Sequence, residues 1–453
     1  MNKKSGLMIC LTGVLAFTKA WALEPFANPT VTGPVDFKLP AGGADHNYPF
    51  FSQADWLAAK SYVEQEYFLE GKATSYNREG AKLADNLPYK TRMLVRRPKD
   101  SKAFNGTVLI EWQNVTAGND LDALWGGFRD DLTADGYIWI GVSVQRVGVN
   151  QLREWSPKRY GSLDVTNGGE IKADEVSWDI FGQAIQAIRT PKGVNPLAGF
   201  KIKEIIGEGA SQSSGYLVPF YNNVMPLHPF NIDLLFLAIG GADTRDDLTV
   251  PVFRTLSETD VIGRVARDPK PMANTDKERV WEMAGTSHSG YAGFLSRMDI
   301  SERDFGTRPS MPVCDQPPYS RIPTDKVYHA AYKHMVTWIR EGKAPPIAPF
   351  IDRNGKEIAR DANGNSTGGI QVAEHAVPLA MNTGYNSGQA RFCRLYGAHI
   401  PFTAEKIHEL YPNKKEYLGK IKAVTQRNVD AGFILPADAK KTNAAASKRE
   451  LGK

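Results

Sequence analysis

The sequence predicts an α/β fold: one mostly parallel sheet covered by helices on both faces. Three observations carry that expectation. From residue 91 onward, strand-like apolar runs alternate with segments of helical period. Runs such as "YIWIGVSV" are apolar almost throughout, as a strand buried on both faces must be. The strand-like "EIIGEGA" runs directly into the small residues "SQSSG", which suits a sharp turn into a helix. The chain of 453 residues is long enough for one large core, and no break in composition demands a second domain.

The elements follow in order. Lys3 and Lys4, the apolar stretch Leu7 to Phe17 and the Ala20-Trp21-Ala22 cleavage pattern read as a secretory signal over residues 1–22. The stretch is too short to span a bilayer, and Cys10 lies inside it, against a lipoprotein anchor. The expected location is therefore periplasmic or extracellular. Residues 23–90 are rich in Gly, Pro and Asn, with one helical stretch near "SQADWLAAKSYVEQEYF". "TRMLVRRP" and "GTVLIEWQN" read as strands, the second with Val108, Ile110 and Trp112 alternating. A helix is expected from about Asp120, with Leu124, Phe128 and Leu132 on one stripe and Gly136 ending it.

After "YIWIGVSV", the segment "DEVSWDIFGQAIQAIR" places Phe181, Ile185 and Ile188 on one helical face and stops at Pro191. The strand before Ser211 follows, then strands in "IDLLFLAIG", "PVFRTLSE" and "RVWEMAG". Residues 23–439 are expected to form the folded domain, with an N-terminal extension and a C-terminal wrap. Residues 440–453, "KKTNAAASKRELGK", read as a flexible basic tail.

Charge argues against a nucleic-acid partner. The formal net charge is +5, and losing residues 1–22 removes Lys3, Lys4 and Lys19 and no acids. Much of the remaining positive charge sits in the tail. Cys314 and Cys393 remain after cleavage, and in an oxidising compartment they are expected to pair; the alternative is two buried free thiols, because spacing does not fix connectivity. No metal and no cofactor is expected. No His/Cys cluster has zinc spacing, and no G-x-G-x-x-G follows a strand. "DANGNSTGG" alternates Asp361, Asn363 and Asn365 as calcium loops do, but lacks their Gly and Glu positions and reads as a turn.

Ser211 is the candidate nucleophile. A serine hydroxyl needs a base at hydrogen-bond distance and an exposing geometry. A tight strand-to-helix turn supplies that geometry when the positions two before and two after are small, and here they are Gly209 and Ser213. The N–H of Gln212, first in the following helix, would face a developing oxyanion. A second donor is expected from the backbone of Gln113 or Asn114, in the loop after "GTVLIEW". Pro219 should shorten or kink that helix.

Of the histidines outside the signal, His329 and His334 sit on an amphipathic helix whose Tyr328, Tyr332, Met335 and Ile339 face the core. His399 and His408 read as surface, and His46, His228 and His375 as loop residues. His288 alone follows the last sheet strand, at the edge where open α/β sheets place their sites. The preceding strand ends in "SETD", so Asp260 is the favoured acid and Glu258 the alternative. Two long segments, residues 145–173 and 289–318, read as binding walls or lids, with Tyr160, Tyr291 and Phe294 as candidate pocket residues.

"EWQNVT", "RYGSL", "GASQS", "PVFRTLSETDV", "WEMAGTSH", "WIREGKAPPIAP", "GNSTGGI" and "AGFILPADA" together resemble a bacterial group of alpha/beta hydrolase domain-containing proteins whose substrates are mostly undefined. The resemblance implies an α/β-hydrolase fold, with Ser211 as nucleophile and His288 as base; the acid comes from "ETD". "GNSTGGIQ" departs from the group's more usual Gly-Gly-x-Arg, so no role is borrowed for that loop. The expected reaction is cleavage of a small-molecule carboxylic ester. Amides, thioesters and envelope-polymer esters are the chemical alternatives, and a non-catalytic binding protein is the alternative of another class. Nothing in the sequence bears on oligomeric state.

Overall fold

Ten strands form one sheet in the computed structural model, which describes residues 23–451. They are β1 (Thr30–Thr32), β2 (Tyr62–Tyr76), β3 (Lys82–Pro98), β4 (Thr107–Trp112), β5 (Ile138–Val142), β6 (Lys192–Gly193), β7 (Glu204–Ala210), β8 (Leu234–Ala238), β9 (Val252–Ser257) and β10 (Glu278–Met283). Their spatial order is β10-β9-β8-β7-β4-β5-β3-β2-β1-β6. From β10 to β5 every neighbour is parallel, whereas β5, β3, β2 and β1 pair antiparallel. The strand order reverses between β7 and β4, whose onward connections run to opposite sides, and that switch opens a crevice at the strands' C-terminal ends. Residues 1–22, read from the sequence as a secretory signal, lie outside the described residues.

The parallel strands are buried on both faces, so their residues alternate between two cores. Val108, Ile110 and Trp112 pack on one side with Phe181, Ile185 and Ile188. Leu109, Trp139, Phe236 and Trp281 pack on the other with Leu124, Leu132, Tyr328 and Tyr332. The helices concerned are α1 (Ala123–Ala134), α2 (Ser177–Arg189), α3 (Gln212–Pro219), α4 (Glu258–Val265), α5 (Tyr291–Phe305) and α6 (Asp325–Glu341). Two more, α7 (Lys414–Asp430) and α8 (Pro436–Lys448), form the C-terminal wrap.

Three expectations are corrected here. The segment read as helix near residue 60 is helical only over Ala54–Ala58; β2 then takes fifteen residues. Its inward positions include Glu64 and Glu66, fully buried against Arg96, Arg92 and Arg159. Buried acids interrupt the apolar alternation that would have announced a strand. Next, residues 440–448 are no free tail. They continue α8, where Thr442 and Ala446 are buried. Last, Pro219 ends α3 as expected, but the chain continues through a wider helical turn over Phe220–Val224. Cys314 and Cys393 form a disulfide with Cα atoms 5.6 Å apart.

Candidate active site

Every group of the candidate site sits just past a strand's C-terminal end, on one edge of the sheet. Ser211 follows β7 directly. Its backbone is held at φ 60° and ψ −116°, a left-handed conformation that costs a non-glycine residue about 1–3 kcal/mol. The turn is locked from both sides. Ser213 Oγ donates to Ala210 O (2.8 Å) and accepts from Ala210 N–H (2.9 Å). Ser214 Oγ donates to Gly209 O at 2.7 Å. A Cβ at Gly209 would lie 2.7 Å from Leu217 Cδ1 and 3.0 Å from Ser213 Oγ, so glycine there spares the buried Leu217 from shifting. At the other crowded position the serine is a working part of the turn.

His288, in the loop after β10, faces Ser211. Its Nε2 is 2.7 Å from Ser211 Oγ, and its Nδ1 is 2.7 Å from Asp260 Oδ1. The carboxylate selects the tautomer with its proton on Nδ1, leaving the Nε2 lone pair to accept from the serine hydroxyl. Burial alone would lower the imidazole's pKa, but the facing Asp260 charge and its hydrogen bond raise it above the ordinary value. Burial likewise works against the Asp260 charge, and His288 with Ser257 brings its pKa net below the ordinary carboxylate value.

Asp260 is aimed by a helix start. Ser257 precedes α4, and Asp260 is the third residue of that helix. The Ser257 N–H and Oγ–H donate to Asp260 Oδ2 at 3.0 and 2.5 Å, a capping box that leaves Oδ1 for the histidine. Glu258 points elsewhere. It is fully buried and accepts from Gly285 N–H (2.7 Å), Ser366 Oγ–H (2.5 Å), Thr383 Oγ1–H (2.9 Å), Gly384 N–H (3.0 Å) and Arg360 (3.0 Å). It therefore ties three loops together behind the histidine. Thr259, between the two acids, accepts the His288 N–H at 3.1 Å and donates to Gly384 O at 2.6 Å. Sequence reasoning passed over Thr259, Ser257, Arg360, Ser366 and Thr383. The last three act from beyond residue 350, and only the capping pattern of Ser257 could have been read locally.

The oxyanion expectations divide. The Gln212 N–H opens α3 and by position has no acceptor in the preceding turn. The two loop candidates are corrected: Gln113 N–H donates to Val142 O, and Asn114 N–H to Leu121 O. Both are spent in backbone pairing that shapes the loop. Asn114 still touches the turn, through its side-chain amide, which donates to Ala210 O at 2.8 Å. The Gln212 side chain points sideways to Gln145 Oε1, at 2.9 Å.

A cavity of about 490 Å³ opens over Ser211 and His288. Leu121, Leu124, Phe128, Ile239, Ile322 and Tyr328 give it an apolar wall. Tyr291 lines it as expected. Phe294 does not; it stacks behind the wall on Tyr319, ring centres 5.0 Å apart. Tyr160 is corrected: it is fully buried on the far side of the antiparallel strands, its hydroxyl donating to Glu66 at 2.7 Å. No residue of 145–173 reaches the cavity wall, whereas α5 supplies Tyr291, Ala292, Gly293 and Arg297 to it. The other loop and surface histidines mostly bond backbone carbonyls, as His375 does to Ser366 O. Asp361 closes its turn by accepting from Asn363 and Asn365 N–H. Among the described residues, one group has the makings of a metal site, Asp131, His329 and Asp438, with ligand atoms within 4.8 Å of one another. Lys441 already bonds Asp438 there at 2.8 Å, and both imidazole nitrogens of His329 face carboxylates.

A mostly parallel sheet with a serine, a histidine and an aspartate linked in a hydrogen-bonded chain at its C-terminal edge fits the α/β-hydrolase class. The family model described as "Alpha/beta hydrolase domain" matches residues 31–444, and the chain belongs to that family. The chain is also similar to a cold-adapted esterase from an Arctic intertidal metagenomic library, at 12% identity over 49% of this chain and 84% of that one, TM-score 0.29. Similar too are an α/β serine hydrolase without a lid from Xanthomonas campestris (12%, 54% and 97%, TM-score 0.28) and the esterase Est22 (12%, 55% and 81%, TM-score 0.32). No curated protein matches.

Proposed function

We propose that the protein is a secreted or periplasmic serine hydrolase that cleaves a carboxylic ester through an acyl-enzyme. The observation that carries this reading is one imidazole within 2.7 Å of both a serine hydroxyl and a half-buried carboxylate, at a largely apolar cavity. Ser211 Oγ attacks the ester carbonyl as its proton passes to His288 Nε2. Asp260 holds the ring and stabilises the imidazolium, and the Gln212 N–H stabilises the oxyanion. His288 then gives its proton to the departing alkoxide, and water repeats the sequence to free the acid. Export is supported by the first 22 residues and agrees with a disulfide across loops of the same site. No helix among the described residues is long and apolar enough to cross a membrane.

The test is steady-state hydrolysis of a panel of 4-nitrophenyl esters of graded chain length by the purified chain and by Ser211→Ala. The expected outcome is turnover of at least one ester, with kcat falling by about 10⁶-fold in the variant. Equal rates for the two proteins would remove the reading.

A further inference from the structure

The cavity that exposes Ser211 also holds two guanidinium groups with no carboxylate partner among the described residues. Arg297, on α5, donates only to main-chain carbonyls, Ala123 O at 3.2 Å and Gly293 O at 3.4 Å. Its Nε is shielded from solvent and unpartnered. Arg321 lies across the mouth, its guanidinium 4.5 Å from the centre of the Tyr291 ring. Both line the cavity. Elsewhere in the chain buried arginines meet acids: Arg96 meets Glu64 and Asp122, Arg159 meets Glu66, and Arg254 meets Glu278. One exposed acid, Asp325, also borders the cavity, but its electrostatic neighbours are Lys326, Glu374 and Asp438, not either arginine. Beside Arg321, His399 is pushed down to about 4 by burial and by the charges of Arg321 and Arg449. Asp122 lies near Arg297 across Gly126, but that carboxylate is already engaged by Arg96 and Gln53 and forms no ion pair with Arg297.

A guanidinium that faces a largely apolar cavity without an ion-pair partner is a costly arrangement unless something anionic completes it. Arginine's planar fork matches the two oxygens of a carboxylate. From this we infer that the substrate is an ester bearing a carboxylate, which Arg297 binds while the apolar wall takes the chain or ring between that carboxylate and the scissile bond. The inference rests on the hydrolytic reading of this site and names its substrate class. Arg297 is a specificity-determining residue. It lies outside the bond-making groups but fixes which ester reaches Ser211.

Two pairs of substrates test it, each matched except for charge. 4-Nitrophenyl hemiglutarate against 4-nitrophenyl pentanoate places the carboxylate on the acyl side. 4-Acetoxybenzoate against phenyl acetate places it on the leaving group. In one pair the anionic member is expected to have a kcat/KM about tenfold or more above its neutral partner, a difference of about 1.4 kcal/mol. Arg297→Gln is expected to erase that ratio, and Arg297→Lys to keep part of it. Ratios near one in both pairs, or a preference that survives Arg297→Gln, would overturn the inference while leaving the hydrolase reading intact. A turnover-independent arm separates the two further: calorimetric binding of benzoate and benzamide to Ser211→Ala protein, with and without Arg297→Gln. Benzoate is expected to bind at least about tenfold more tightly than benzamide only where Arg297 is present. Equal binding of the two ligands contradicts the inference even if no ester is ever turned over.

Discussion

Ser211 is held in a backbone conformation that few non-glycine residues adopt, and every neighbour in the turn is recruited to keep it there. Gly209 makes room, Ser213 bonds both ends of the Ala210 peptide, and a Cβ at Gly240 would lie 3.2 Å from the Ser211 Cα. The two acids of "ETD" show how strongly position decides role. Asp260, half-buried on the first turn of α4, reaches His288; Glu258, two residues earlier, turns inward and binds three loops. Their amide variants should separate the roles. Asp260→Asn is expected to lower kcat by about 10⁴-fold with a modest loss of stability. Glu258→Gln removes a buried charge from beneath Arg360 and is expected to cost about 3–5 kcal/mol of unfolding free energy. Ester hydrolysis and urea denaturation on both variants check this, and the reverse pattern would assign the acid to Glu258. Ser211 and His288 were legible because the chemistry depends on local spacing and strand order. The preference for Asp260 followed from its place past the strand end. The hub around Glu258 was not legible, since four of its five partners lie more than one hundred residues further along the chain.

At the scale of elements, the parallel strands and α1, α2 and α6 were readable because an apolar face repeats with the right period. β2 was not readable, because Glu64 and Glu66 stand where apolar residues would and are matched by arginines from other segments. The cavity wall shows the same limit. α5 lies after His288 as a wall segment should, yet Asp304 is its one buried residue. It is anchored by that side chain to Tyr48 Oη (2.9 Å) and Phe51 N–H (2.8 Å). The disulfide braces the same wall. Cys314 precedes Ser320 and Arg321, and Cys393 sits between Phe392 and Leu395, all four of which line the cavity. A crosslink over a sequence separation of 79 restricts the unfolded chain, worth about 4 kcal/mol in the chain-entropy account. The double variant Cys314→Ser with Cys393→Ser is therefore expected to unfold at lower temperature and to raise KM more than it lowers kcat. Calorimetry and steady-state kinetics measure both, and unchanged values would mean that the brace has no bearing on the wall.

The whole molecule is closed by its C-terminus. α8 reaches back to α1 and α6 through one charged cluster. His329 bonds Asp438 from Nδ1 (2.7 Å) and Asp135 from Nε2 (2.9 Å), while Lys333 and Lys441 pair with the same acids. Burial pulls the His329 pKa down, but the surrounding carboxylates push it up to about 9 against an ordinary 6.5. Because the folded value exceeds the unfolded one, the clamp stabilises fully below about pH 6.5 and is lost as pH rises through about 9. His329→Gln should lower the melting temperature near about pH 6, and the gap from the parent should narrow by about pH 10. A gap independent of pH would show that the imidazolium charge contributes nothing. The sequence reading treated this histidine as a bystander and residues 440–453 as a loose tail. Both errors have one cause: the partners lie far apart along the chain, and α8 hides its three buried residues among alanines and lysines.

Three side chains, brought from the ends of three strands, converge at one sheet edge, and everything proposed for the site depends on that convergence. Its most direct test is mass spectrometry of the chain after exposure to a fluorophosphonate. One adduct is expected, on the tryptic peptide that contains Ser211, with labelling slowed severely in His288→Ala. An adduct on any other residue, or labelling that proceeds equally without the imidazole, would contradict the assignment of Ser211 as a nucleophile activated by His288.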